Sequence, residues 1–162
     1  MIYLKTPEEI EKMREACALT SRTLGEIAKW VTEGVTTHKL DAVAREYIAD
    51  NHGRPSCLGY EGFPGAICCE VNEAVVHGFP SNYALRDGDI IGIDIVVEYD
   101  GFCGDMCYTF PIGNVAPEVL QLCRVTKESL FKGIEACREG NRIGDIANAI
   151  QTYCEHHRYG VV

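Results

Sequence analysis

The sequence lacks three features that would place the chain in a membrane, in the secretory pathway or on nucleic acid. No stretch approaches 18 uninterrupted apolar residues, and the first residues contain no apolar segment of the signal-peptide kind. No run rich in Lys and Arg occurs, and the net charge of −9 opposes non-specific binding to nucleic acid or to anionic lipid. We therefore expect a cytoplasmic chain that contacts neither nucleic acid nor a membrane.

Cysteine pairs with the CxxC spacing of zinc sites are also absent, although the chain has nine cysteines. A high, odd count without this spacing is typical of reduced thiols that pack as small apolar side chains. Cys103 and Cys107 would share a strand face with Asp105, so a zinc site that contains thiolates remains an alternative.

The first fifty residues predict two helices. Thr6-Pro7-Glu8-Glu9 combines a capping box with proline at the first helical position, and apolar residues then recur at helical spacing to about Val31. Thr36 or Thr37 begins a second helix, which ends at Asn51-His52-Gly53. At 162 residues with 46% apolar composition, the chain is expected to form one domain, residues 1–162.

Strands follow, and then the helical pattern returns. Between Ser56 and Phe110 the hydrophobic periodicity shortens, and glycine and proline interrupt it, which predicts several strands and an α+β fold. After Ala116-Pro117-Glu118 the helical pattern repeats the first helix pair 106 positions later, as Thr20–Leu24 matches Thr126–Leu130. We interpret this as a first repeat over residues 6–115 and an incomplete second repeat over residues 116–162. The alternative is a chance likeness between two helical hairpins; on the first interpretation the 162 residues are part of a longer protein.

Two aspartates lie in the most apolar part of the chain, the segment from Ile90 to Asp105. A carboxylate buried among β-branched residues costs several kcal/mol unless a cation or hydrogen-bond donors neutralise it. Asp100-Gly101 predicts a hairpin turn, and a loop of two or four residues places Val96 opposite Asp105. Asp94 and Asp105 would then share one face as a diagonal pair, roughly 7–8 Å apart, which one ion or two neighbouring ions can bridge. A loop of three residues would put them on opposite faces.

A structural role for both aspartates is the alternative. In that case Asp105 caps a turn and Asp94 pairs with a nearby Lys or Arg, because two ligands do not make a metal site by themselves.

Two further motifs lie in the predicted strand region. Asn72 to Pro80 places His77 at the end of an apolar strand, just before residues that force a turn; a structural hydrogen bond is the alternative role for this histidine. The segment from Cys57 to Pro64, together with Cys68, concentrates sulfur and aromatic side chains around glycines. Core packing would explain this composition, and so would a pocket for a thioether, because sulfur packs well against ring edges.

Together these motifs give a resemblance that spans essentially the whole chain. Cys57-Leu58-Gly59-Tyr60-Glu61-Gly62-Phe63-Pro64, Asn72-Glu73 with His77-Gly78-Phe79-Pro80, and Asp87-Gly88-Asp89-Ile90 leading to Asp94 and Gly104-Asp105 resemble type I methionine aminopeptidases. The sequence departs from the usual pattern at Phe63, where a tyrosine is common, and at Met106 and Cys107, where a small hydroxyl residue is usual.

The resemblance implies a pita-bread fold with a pseudo-twofold internal repeat around two divalent metal ions. By position, Asp94 resembles the ligand of one ion and Asp105 the ligand that bridges both. His77 resembles the catalytic histidine that hydrogen-bonds the substrate. The residues that resemble the walls of the methionine pocket are Cys57, Tyr60, Phe63 and Cys68.

The implied reaction is removal of the initiator methionine by a metal-activated water. The implied partners are methionyl peptides and nascent chains, at the ribosome among other places, and Co, Mn, Fe or Zn would suit the ligands. The family's remaining ligands, a histidine and two glutamates, are expected beyond Val162. We therefore expect the 162 residues alone to show negligible hydrolysis. We also expect them to self-associate. The alternatives are a non-catalytic pita-bread relative that acts as a binding module, and a creatinase-like or prolidase-like peptidase.

Overall fold

The computed structural model describes residues 3–162, which form two compact units, one ending at Asn114 and one comprising Val115–Val162. The elements of the first unit are α1 (Pro7–Ala28), α2 (Thr37–Asp50), β1 (Arg54–Pro55), a 3-10 turn (Tyr60–Gly62), β2 (Cys68–Val71), β3 (Ile90–Tyr99) and β4 (Phe102–Pro111). The second unit contains α3 (Pro117–Ala136) and α4 (Ile143–His156). Within residues 3–162, no helix combines the length and the apolar character that crossing a lipid bilayer demands.

The start of α1 follows the predicted capping box. The Thr6 hydroxyl accepts the Glu9 N–H at 3.2 Å, and the Glu9 carboxylate accepts the Thr6 N–H at 2.8 Å. The helix ends at Ala28, earlier than the predicted Val31, because the Trp30 N–H bonds to the Ile27 carbonyl in a tighter turn.

The second helix also begins and ends as predicted. The Thr36 side chain caps it by accepting the Lys39 N–H at 3.2 Å, and Asn51 follows its last residue. The Lys39 ammonium lies 4.6 Å from the ring centroid of Trp30, so a cation–π contact joins the start of α2 to the end of α1.

A four-stranded antiparallel sheet is organised around β3. This strand pairs with β4 along one edge and with β1 and β2 along the other. Its odd-numbered residues from 91 to 97 are fully buried in the core, where they pack with side chains of α1 and α2 (Ile91, Ile93, Ile95, Val97; Leu19, Ile27, Leu40, Ile48). Alternation places Gly92, Asp94 and Val96 on the opposite face, which we call the site face.

The predicted hairpin between β3 and β4 is present, and its loop has two residues, one of the two lengths that give the predicted register. Asp100 and Gly101 have φ values of 47° and 80°, both left-handed, as a type I′ turn requires. Val96 is paired with Asp105, and Asp94 with Cys107. The predicted register is therefore confirmed, and Asp94 and Asp105 are diagonal neighbours on the site face.

The second unit is a helical hairpin. Gly133 of α3 allows α4 to approach closely, because a Cβ at this position would lie 2.8 Å from the Ile150 side chain. Helix α4 begins and ends 106 positions after α2, the same interval at which the two sequence motifs repeat. The interpretation as an incomplete second repeat stays a prediction.

The prediction that His77 ends an apolar strand is wrong. Strand β2 stops at Val71, and residues 72–79 form a loop. Asn72 breaks the strand, because it has a φ of 54° and its side chain bonds to Asp89 and to the Ile90 N–H. Val75 and Val76 are more than 60% exposed, so their β-branched character reflects no burial in a sheet.

We expect Asp89 to stabilise the fold in a pH-dependent way. Burial alone would raise the pKa of this carboxyl, but hydrogen bonds from Asn72, the Arg86 N–H and the Tyr83 hydroxyl together lower it. A lowered pKa means that the stabilisation is present above the ordinary value of about 3.9 and is lost as the pH falls through the folded-state pKa. Asp89→Asn should reduce the free energy of unfolding at pH 7 by about 1–3 kcal/mol.

Urea unfolding at a series of pH values measures this effect. The difference in the free energy of unfolding between wild type and Asp89→Asn should become smaller below about pH 3.9. The exposed Asp100→Asn change serves as the control, because asparagine also suits the left-handed turn position. A difference in the free energy of unfolding that is constant from pH 7 to pH 3 would contradict the lowered pKa of Asp89.

A candidate metal centre and its adjoining pocket

Asp94 occupies the middle of the site face, with thiols on both neighbouring strands. It is paired with Cys107 of β4 on one side and with Cys68 of β2 on the other. Asp105 lies diagonally from Asp94 and is paired with Val96. The two carboxylates therefore point to the same side of the sheet, as the sequence predicts.

The electrostatics of this pair favour a cation. Asp94 is partly buried, and burial raises the pKa of its carboxyl; repulsion from Asp105 raises it further, and attraction to His77 opposes these effects. Asp105 is exposed, so the expectation that both carboxylates are buried is wrong for Asp105, because its stretch of β4 lies open on the site face. Among the described residues, no ion pair joins Asp94 or Asp105 to Lys or Arg, so the alternative in which a basic side chain neutralises Asp94 finds no support.

These donors suit a divalent ion but do not complete a site. Over residues 3–162, the structure contains no group of three or more His, Cys, Asp or Glu side chains arranged to hold a metal. Of the two thiols paired with Asp94, Cys107 is exposed and Cys68 is buried, and burial raises the pKa of Cys68 to about 12. Cys103 and Cys107, the thiols of the zinc alternative, form no such group with Asp105 in the described part of the chain.

A pocket of about 370 Å³ opens beside the aspartates. Its walls are Cys57, Tyr60, Glu61, Gly62, Phe63, Cys68, His77 and Phe79. The lining is mainly aromatic and sulfur-containing. Because Cys68 is paired with Asp94, one end of this pocket adjoins the carboxylate pair.

The pocket wall forms because the chain reverses direction around two glycines. Gly59 and Gly62 have φ values of 83° and 86°, and the Gly59 N–H bonds to the Phe63 carbonyl across the turn at 2.9 Å. The turn brings the Phe63 ring against Phe79 in an edge-to-face contact, with 5.1 Å between centroids.

Helix α2 anchors the segment that follows this turn. The buried Asp41 carboxylate accepts the Ala66 N–H at 2.6 Å and the Ile67 N–H at 3.3 Å. Arg45 bonds to both Asp41 and the Pro64 carbonyl at 2.6 Å. These bonds to α2 thus fix the start of β2, whose first residue, Cys68, is a pocket wall.

His77 also lines the pocket, from the loop after β2. It is exposed and has a left-handed backbone, with a φ of 57°. Gly78 follows directly, and a Cβ there would collide with the Cys69 carbonyl oxygen, so only glycine fits. Strain of this kind at a non-glycine residue is common at functional sites.

The structure brings all the predicted site residues into one region. Four predicted pocket residues and His77 line the same cavity, and Asp94 and Asp105 lie beside it. Sequence reasoning missed Glu61, Gly62 and Phe79 as pocket walls. Phe79 could have been found, because it directly follows His77-Gly78 in the same motif.

Comparison with known proteins agrees with this geometry. Residues 11–162 match the metallopeptidase family M24. The whole chain is 43% identical to methionine aminopeptidase 1 of Bacillus subtilis over 162 residues, which is 65% of that protein's length. The chain therefore spans about two thirds of this curated relative.

Solved structures show the same relationship. The crystal structure of methionine aminopeptidase from Rickettsia prowazekii superposes with a TM-score of 0.98 at 40% identity, covering 100% of this chain and 65% of that one. A methionine aminopeptidase structure from Streptococci superposes with a TM-score of 0.94 at 33% identity, covering 100% of this chain and 70% of that one. The expected α+β pita-bread fold is confirmed, and the chain belongs to metallopeptidase family M24, among the methionine aminopeptidases.

Proposed function

We propose that this chain provides the methionine pocket and two metal-binding aspartates of an aminopeptidase that removes N-terminal methionine. The observation that carries the proposal is the pairing of Cys68, a pocket wall, with Asp94, one of two carboxylates on the site face. In this arrangement a methionine side chain bound in the pocket would lie next to the metal ligands. The 43% identity to methionine aminopeptidase 1 of Bacillus subtilis supports the same activity.

Asp94 and Asp105 would hold the divalent ions. Such ions polarise a carbonyl and activate water at neutral pH when they are bound. Carboxylate donors accept Mn, Fe, Co or Zn, and a centre of two ions fits the diagonal spacing of the pair.

The other residues bind and orient the peptide. Phe63, Phe79 and Tyr60 present ring edges and faces to an unbranched thioether, which packs favourably against aromatic rings. His77 lies at the pocket wall, where its ring can hydrogen-bond the peptide group that follows the methionine.

Two further observations support a cytoplasmic setting. All nine cysteines are free thiols, and the net charge is −9, both of which suit the cytoplasm. The substrates would then be newly made proteins that still carry their first methionine. Apolar side chains of the second unit that are more than half exposed support self-association of the 162 residues (Leu130, Phe131, Ile134).

A chimera tests the proposed activity. The 162-residue chain alone should release negligible methionine from the peptide Met-Ala-Ser in the presence of Mn²⁺, because two carboxylates do not complete the metal centre. The same chain joined to the remaining C-terminal third of the Bacillus subtilis relative should release methionine at least a hundredfold faster. Mass spectrometry of the free amino acid measures the rate.

The peptide Leu-Ala-Ser is the matched control for the pocket. A site built for an unbranched thioether should cleave it at least tenfold more slowly. A chimera that has the circular dichroism of a folded enzyme but releases no methionine would overturn the proposal, and equal rates on both peptides would overturn the assignment of the pocket.

A further inference from the structure

Glu70 is a buried carboxylate that the proposed site does not use. It lies on β2 with 7% of its surface exposed. Its Oε2 atom is buried and has no hydrogen-bond partner among the described residues. Burying an unpartnered carboxylate oxygen lowers the stability of the fold, so the presence of this side chain calls for an explanation.

Strand alternation places Glu70 on the site face. It shares this face with Cys68, and its partner across the strand pair is Gly92 rather than a residue with a side chain. A Cβ at Gly92 would lie 3.1 Å from Oε2 of Glu70 and 3.2 Å from its Cβ. The glycine in the middle of β3 therefore provides the space that the Glu70 carboxyl occupies.

The carboxyl reaches the loop that carries His77. Its Oε1 atom accepts the Gly78 N–H at 3.3 Å, and the Cys69 N–H bonds to the Gly78 carbonyl at 2.8 Å. Two adjacent residues of β2 thus hold both polar backbone groups of Gly78. His77, immediately before it, has the left-handed backbone that needs such support.

The electrostatics agree with this arrangement. Burial raises the pKa of the Glu70 carboxyl and repulsion from Asp94 raises it further, whereas the bond from the Gly78 N–H and attraction to His77 oppose this rise. The carboxyl thus interacts directly with the backbone next to His77.

We propose that Glu70 is a positioning residue for His77. By accepting the Gly78 N–H, its carboxyl oxygen holds the His77 backbone in its left-handed conformation and fixes the imidazole at the pocket wall, and Gly92 makes room for this contact. The catalytic meaning of that position rests on the proposed function. The contact itself does not depend on it.

Nuclear magnetic resonance of the 162-residue chain tests the contact without metal, substrate or turnover. In Glu70→Ala, exchange of the Gly78 amide hydrogen should become at least tenfold faster, and the His77 ring resonances should shift. In Glu70→Gln, exchange of the Gly78 amide hydrogen should remain close to wild type, because the side-chain amide oxygen can still accept the Gly78 N–H. Glu73→Ala, an exposed glutamate three positions along the chain, should change neither.

Gly92→Ala provides a second way to move the carboxyl while Glu70 is retained, which keeps the test decisive if Glu70→Ala does not fold. The new methyl group should displace the Glu70 carboxyl and speed Gly78 exchange. The proposal is overturned if Gly78 exchange is unchanged in both Glu70→Ala and Gly92→Ala. It is equally overturned if Glu70→Gln behaves like Glu70→Ala, since the charge and not the hydrogen bond would then be responsible.

The chimera described above separates this proposal from the proposed function. In it, Glu70→Ala should lower kcat at least tenfold with KM changed less than threefold, because a misplaced His77 affects the reacting peptide group more than the methionine pocket. Failure of the parent chimera to release methionine would count against the aminopeptidase function alone. The exchange measurements would still decide whether Glu70 positions His77.

Discussion

Replacing Gly104 with alanine is expected to destabilise the first unit by about 2–3 kcal/mol. Gly104 is a buried residue of β4 that faces α1, and a Cβ there would lie 2.7 Å from the Ala16 carbonyl oxygen and from the Cys17 Cα, and would also collide with the Thr20 hydroxyl. Two of these three obstacles are backbone atoms, so neither strand nor helix can yield without a shift of the backbone. Urea unfolding followed by circular dichroism measures the loss.

Gly25 supplies the matched control, because it lies in α1 and a Cβ added to it would have no neighbouring atom within 4 Å. Gly25→Ala should be neutral or should stabilise the helix by about 0.5–1 kcal/mol, since alanine loses less backbone entropy. The change from glycine to alanine should therefore lower the free energy of unfolding at position 104 and leave it unchanged or raise it at position 25. Equal stability of Gly104→Ala and wild type would contradict the close approach of α1 to β4.

Changing Asp94 to asparagine is expected to have opposite effects with and without metal. Burial and repulsion from Asp105 raise the pKa of the Asp94 carboxyl, so the folded chain disfavours its charged form. Without metal, Asp94→Asn should raise the melting temperature at pH 7, and this gain should fade as the pH falls toward the ordinary value of about 3.9. With Mn²⁺, wild type should be stabilised by about 2.7 kcal/mol at a hundredfold excess over Kd, and the variant should lose most of this stabilisation.

Melting curves of the 162-residue chain with and without Mn²⁺ measure both effects. Asp105→Asn should lose the metal response in the same way, because both carboxylates would bind the ions. Asp100→Asn in the same hairpin is the control and should keep the full response, since its side chain lies in the turn, where it pairs with Lys12. An undiminished Mn²⁺ response in Asp94→Asn would exclude the proposed metal centre.

The position of the aspartates was predictable because local chemistry fixes it. Asp100-Gly101 permits only a small set of tight turns, and the strict alternation of a strand then determines which side chains share a face. The capping box at Thr6 is a similarly short-range device, and the helix start agrees with it. Where neighbours along the chain determine the conformation, the sequence was sufficient.

The loop before Pro80 could not be predicted in the same way. Its valines suggest a strand, but long-range bonds from the Asn72 side chain to Asp89 and Ile90 end β2 at Val71. The role of Glu70 was equally hidden, because it depends on the absence of a side chain at Gly92 on another strand. Such pairings join residues far apart in sequence, and no periodicity within one segment reports them.

The single tryptophan makes the first unit spectroscopically simple. Trp30 lies at the end of α1 under the Lys39 ammonium and is partly exposed, at a position that contributes nothing to the pocket walls. Its intrinsic fluorescence should therefore change when α1 separates from α2 during denaturation. It should not change when a small molecule binds in the pocket. Quenching by iodide would give an independent view of how readily that helix junction opens.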